Sequence, residues 1–155
     1  MLTFYDAFDQ AERIEGLAAD LYGVLRKRFE KQLHLHDLFV RLEQEERQHA
    51  LRIRLLSSQV RSAPLLSPLR LDPTALDTAL DAVEHALVEV RAGRRGLTYE
   101  DAANLLVDLE QSLEAAHAQW MAQDAPPSVR RLFESLAKQD RAHQQLLEQF
   151  RAPYT

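Results

Sequence analysis

Apolar residues recur at helical spacing along four long stretches of the chain. In the first, Phe8, Ala11, Glu15, Ala18, Tyr22, Leu25 and Phe29 share one face. In the second, Leu42, Glu46, His49, Ile53 and Leu56 fall at offsets 0, 4, 7, 11 and 14. Ala103, Leu106, Glu110, Leu113, His117 and Trp120 mark the third, and Leu136, Asp140, His143, Leu147 and Phe150 the fourth. Stripes of this period are what an amphipathic helix buries. They predict an all-α chain: one antiparallel hairpin over about residues 3–60, a long crossover over about 61–97, and a second hairpin over about 98–152. Together the stripes specify a four-helix bundle.

Local signals set the expected boundaries. Thr3, followed at the third position by Asp6, predicts a capped start of the first helix, which runs to about Lys31. Asp37 is the expected N-cap of the second helix, which runs to about Val60. Pro64 and Pro68 break the pattern after it. Asp72-Pro73 then opens an extra helix inside the crossover, with a stripe of Leu76, Leu80, Val83, Leu87 and Val90 and a stop at Gly93. Glu84 and His85 lie beside that stripe and read as surface or interface residues. Arg91 to Gly96 reads as a solvated basic turn rather than an anion site. Thr98 and Asp101 open the next helix, Ser128 is the expected N-cap of the last, and Pro153 ends it.

The polar residues within the stripes carry the chemistry. Leu38-Phe39-x-x-Leu42-x-x-x-Glu46-Arg47-x-His49 returns 94 residues later as Leu132-Phe133-x-x-Leu136-x-x-x-Asp140-Arg141-x-His143. Each copy places a carboxylate and an imidazole three residues apart, on one helix face. Glu15 precedes Glu46 by 31 residues, and Glu110 precedes Asp140 by 30. Four carboxylates buried without compensation would cost several kcal/mol each. Two divalent cations would cancel the four charges, with two neutral imidazoles completing the shells. A carboxylate-x-x-His pair on each of two helices, with a glutamate from each of two others, is how a bundle builds a two-metal centre.

Composition narrows the classes further. At 155 residues the chain is most simply one domain, with 4 Gly and 6 Pro in keeping with helix throughout. A net charge of −5 gives no case for a nucleic-acid partner or an anionic membrane surface. The absence of cysteine excludes disulfides, thiolate-held zinc and a rubredoxin-type iron site, and is compatible with a cytoplasmic location. The first residues do not read as a signal peptide. No apolar run approaches the ~18 residues of a membrane span.

These motifs resemble the ferritin-like di-iron carboxylate superfamily, and most closely its rubrerythrin-type domains. Ile14-Glu15-x-x-Ala18-x-x-x-Tyr22 is similar to the first ligand helix of that branch, and the two repeated pairs to its later ones. The resemblance covers the four bundle helices. It implies Glu46 and Asp140 as bridging carboxylates, Glu15 and Glu110 as terminal ones, and His49 and His143 as nitrogen ligands. Two iron ions are the implied cofactor, roughly 3.5–4 Å apart, with manganese or zinc able to substitute. Glu46, Asp140 and Tyr22 are the implied catalytic residues, the Tyr22 hydroxyl hydrogen-bonded near the site.

The implied activity is that of an oxidoreductase. It would react with dioxygen or hydrogen peroxide as a peroxidase or ferroxidase, draw on an external electron donor, and work as a homodimer. A di-iron hydroxylase of a small organic substrate, or a non-catalytic bundle for assembly or iron sequestration, are the alternative expectations. Three positions depart from the pattern. Asp140 is one methylene shorter than the usual glutamate, so the second metal position is expected to be the weaker, and Asp140→Glu to restore it. Leu113 stands where rubrerythrins carry an extra glutamate, with Glu114 beside it. His117 matches Tyr22 in the second hairpin and is expected to bond a neighbouring carboxylate rather than bind metal directly.

Overall fold

The computed structural model describes residues 1–61, 70–93, 97–121 and 125–151. The chain is all-α, with five helices among these residues: α1 (Phe4–Arg28), α2 (Leu33–Arg61), α3 (Thr74–Arg91), α4 (Tyr99–Met121) and α5 (Pro127–Gln149). Only residues 29–32 separate α1 from α2, and the two helices pack along each other. A connection that short reverses the chain direction. α4 packs likewise along α5, while α3 lies against α1 and α4. A short antiparallel pair, β1 (Leu2–Thr3) with β2 (Arg70–Leu71), matches Leu2 to Leu71 and Thr3 to Arg70. This pairing was not legible in the sequence. No described helix is long and apolar enough to cross a membrane.

Several boundaries follow the expected capping chemistry. The Thr3 hydroxyl accepts from the Asp6 amide at 3.0 Å. Thr98 and Asp101 cap reciprocally, Oγ1 accepting from one amide and the carboxylate from the other. Asp72 accepts from both the amide and the hydroxyl of Thr74. Gly93 takes φ +66°, the left-handed conformation that a helix end favours glycine to supply.

Others differ. α1 ends at Arg28, and residues 29–32 turn through Glu30 N to Lys27 O and Gln32 N to Phe29 O hydrogen bonds. α2 therefore starts at Leu33, a turn before Asp37, which is exposed and faces His36 rather than capping. Pro127 occupies the first turn of α5, so Ser128 lies inside the helix. Pro64, Pro68, Pro153 and Arg94–Gly96 lie outside the described residues.

The core is a layered stack. At one end Trp120 stacks on Phe133 with centroids 4.2 Å apart, and Phe8 and Phe4 pack on Trp120. At the other end Tyr22, Phe29, Phe39 and Tyr99 pack together. Seven residues advance about 10 Å along a helix. Phe8 and Tyr22 each lie seven residues from Glu15, and Phe39 and Phe133 lie seven before Glu46 and Asp140. A polar layer thus sits between two aromatic layers. Outside it, the repeated arginines tie the helix pairs: Arg47 faces Asp20 and Glu43, and Arg141 chelates Glu114. Glu84 and His85 are exposed, as their place beside the α3 stripe predicts.

Candidate metal centre

All six sequence-assigned residues meet in the polar layer. Glu15 comes from α1, Glu46 and His49 from α2, Glu110 from α4, and Asp140 and His143 from α5. The four carboxylates are fully buried, and the two histidines are at most 3 % exposed. Two groups of donors form. Glu46, Glu110, Asp140 and His143 each offer an atom within 4.8 Å of the others, and so do Glu15, His49 and Asp140. Glu46 also faces the second of these groups, its Oε1 lying 3.6 Å from His49 Nδ1. Asp140 belongs to both groups, so the shorter side chain reaches both.

The imidazoles are arranged crosswise. His143 turns Nδ1 inward, 3.0 Å from Glu46 and 3.2 Å from Glu110, and its Nε2 meets Glu45 Oε2 at 2.9 Å. His49 turns Nδ1 towards Glu15 and Glu46, and its Nε2 pairs with Gln139 Oε1. Glu45 and Gln139 each immediately precede an acidic residue of the repeat and reach across to the other copy's histidine. The two rings lie nearly parallel, 5.9 Å apart. Outer acceptors of this kind fix the tautomer and orientation of a ligating histidine. Sequence reasoning missed both residues, although they sit 94 positions apart like the motif itself.

A second crosswise pair lies along the same axis. The Tyr22 hydroxyl, seven residues past Glu15, donates to Glu110 Oε1 at 2.6 Å. His117, seven residues past Glu110, places Nε2 2.8 Å from Glu15 Oε1 and Nδ1 2.5 Å from Asp140 Oδ2. His117 thus bonds neighbouring carboxylates, as expected, and fills the room that the shorter Asp140 leaves. The Glu15, His49 and Asp140 group has fewer donors, and His117 already engages two of them. Glu114 is outside the layer, bound by Arg141 and Gln144. No extra glutamate follows Glu110 into it, since Leu113 is buried apolar packing.

Electrostatics in the layer are tightly balanced. Burial pushes the Glu46 carboxyl well above its usual range, and the charges of Glu15 and Glu110 add to this. Burial opposes ionisation of Glu15 too. Hydrogen bonding with Glu46, together with His117 and His49, outweighs it and holds Glu15 well below the usual value. Burial lifts Asp140 to about 7 despite His117. Burial would lower His117, but Asp140 and Glu15 raise it to about 10. His143 is raised in the same way, by Glu110, Glu45 and Glu46 against burial.

The donor set fits a pair of divalent cations. Three buried carboxylate oxygens, Glu46 Oε2, Glu110 Oε2 and Asp140 Oδ1, make no hydrogen bond, and neither does His49 Nδ1. Unpartnered buried acceptors are costly and rare, and an ion is among the few things that satisfy them. Oxygen and imidazole donors suit iron, manganese or zinc. Loss of an outer acceptor should weaken the centre without touching a ligand. Glu45→Ala is expected to lower affinity at the His143 position roughly 10–100-fold, read by competitive metal titration. Unchanged affinity would show that Glu45 does not orient that imidazole.

No family model, no curated protein and no solved structure matches this chain.

Proposed function

We propose that the chain is a ferritin-like four-helix protein of two hairpins that holds two iron ions and reacts with dioxygen or hydrogen peroxide. The observation that carries this reading is the convergence of four fully buried carboxylates with two inward-facing Nδ1 atoms from four helices. Glu46 and Asp140 would be shared between the two ions, and Glu15 and Glu110 would be held to one each. His49 and His143 supply nitrogen.

Bound iron would supply electrons to the oxidant. The residues do the remaining work. Burial opposes ionisation of Glu46, so ions held there would displace protons. Glu45 and Gln139 hold the imidazoles with Nδ1 inward. Tyr22 holds a phenol proton against Glu110. His117 is placed to hold a proton between the Glu15 and Asp140 carboxylates. The depth of the layer favours a small oxidant over the alternative of an organic substrate, because no ligand side chain is more than 4 % exposed.

Protein loaded with iron(II) without oxygen should consume peroxide or dioxygen faster than the same iron in buffer. Stopped-flow absorbance and oxidant electrodes read this. Oxidation no faster than that of free iron would favour the non-catalytic assembly or sequestration reading instead.

A further inference from the structure

The outer face of the α1–α2 hairpin carries its charge in an ordered way. Three ion pairs cross it: Asp9 with Arg61 at 2.6 Å, Glu12 with Arg54 at 3.5 Å, and Asp20 with Arg47 at 3.6 Å. In each pair the acid stands on α1 and the base on α2. The hairpin therefore presents an acidic edge beside a basic one. All six side chains are at least one-third exposed, so each pair by itself contributes little to the fold.

Between the Glu12–Arg54 and Asp20–Arg47 pairs lies a groove of about 200 Å³, lined by Gly16, Ala50 and Leu51 together with Glu12, Arg47 and Arg54. The space over Gly16 is open: a Cβ added there would meet no atom within 4 Å. Leu51 and Leu55, one turn apart on α2, stand 51 % and 55 % exposed. Single exposed leucines are ordinary. Here a bare apolar knob on α2 and an open hole on α1 lie at one level, framed by pairs of opposite charge. One hairpin holds both halves of a contact that it cannot make with itself.

We propose that this face docks on the same face of a second copy of the chain, about a two-fold axis that runs parallel to α1 and α2. The charge order selects the axis. A two-fold along the helices lays α1 of one chain over α2 of the other at the same height. Asp9 then meets the partner's Arg61, Glu12 the partner's Arg54 and Asp20 the partner's Arg47, while Leu51 covers the partner's Gly16. Each ion pair becomes a ring of four alternating charges. A two-fold across the helices would instead lay α1 on α1 and α2 on α2, setting acid against acid and base against base, which opposes docking. The face is two helices wide and about 20 Å long. That is at the small end of specific interfaces, so the dimer dissociates on dilution. Its charged rings make it weaker in salt. The pairing needs no metal and does not rest on the di-iron reading.

Sedimentation velocity of the full, metal-free chain over a concentration series at low salt should show monomer and dimer in exchange, with the dimer lost at high salt. Leu51→Glu should abolish the dimer. Gly16→Gln should abolish it too, by filling the hole. Glutamine is the better helix former, so the melting temperature of that variant should not fall. The chain has no cysteine, so single cysteines report the axis. Asp20→Cys mixed with Arg47→Cys should crosslink on mild oxidation, much faster than Asp20→Cys mixed with Glu12→Cys. A wild-type chain that stays monomeric at every concentration would leave the face to some other partner and overturn the proposal. A dimer that survives both Leu51→Glu and Gly16→Gln, or faster crosslinking of the Asp20→Cys and Glu12→Cys mixture, would overturn it as well.

Discussion

Glu46→Gln is expected to lose at least one of the two metal ions while the metal-free protein keeps its fold. Glu46 faces both donor groups, and burial pushes its carboxyl well above the usual range. An amide of the same size removes a buried carboxyl whose ionisation burial opposes, so metal-free stability should hold or rise. Glu46→Ala should also lose metal, with an added packing loss. Glu43 is the contrasting position, three residues earlier and off the stripe. Its carboxylate binds Arg26 at 3.1 Å and Arg47 at 3.4 Å, in the space left by Gly23. Glu43→Ala should lower the melting temperature slightly, by the ~0.2–1 kcal/mol of a partly exposed ion pair, and keep its metal. Elemental analysis and thermal melts of these variants read the two effects apart. Equal metal retention in Glu46→Ala and Glu43→Ala would show that the α2 stripe does not carry ligands.

The second large effect concerns Asp140 and His117. Sequence alone suggests that Asp140→Glu restores a stunted bridge. In the structure the missing methylene is matched by His117 Nδ1, 2.5 Å from Asp140 Oδ2. A longer carboxylate must push against that ring, and overpacking a tight site costs about 1–3 kcal/mol. Asp140→Glu is therefore expected to weaken metal binding, and His117→Ala added to it should recover much of the loss. A double-mutant cycle by metal titration measures this coupling. Additive losses would mean that Asp140 and His117 are not fitted to one another, and a gain from Asp140→Glu alone would reinstate the short-bridge account.

The six ligand candidates were legible because helical period ties sequence position to face. Glu15, Glu46, His49, Glu110, Asp140 and His143 each sit where an apolar residue would otherwise be. What period cannot show is which residue on one helix meets which on another. The Glu45–His143 and Gln139–His49 contacts, and the exchange of Tyr22 and His117 between hairpins, depend on how α2 faces α5 and α1 faces α4. Boundaries failed where local chemistry competed. Asp37 looked like a cap, yet the turn at residues 29–32 let α2 begin a turn earlier, with Leu33 left 72 % exposed. Pro127 opened α5 ahead of Ser128 because its fixed φ suits a first helical position. The Leu2–Leu71 strand pair is too short for any alternation to mark it.

The most direct test of the dinuclear reading is a metal titration of the full chain with iron(II), without oxygen, followed by elemental analysis after desalting. The account predicts about two ions per chain, bound in two steps. The Glu46, Glu110, Asp140 and His143 position should fill first, and the Glu15, His49 and Asp140 position second, once His117 gives way. Protons should be released on binding. An ordered helical protein that retains no iron, manganese or zinc under these conditions would contradict it.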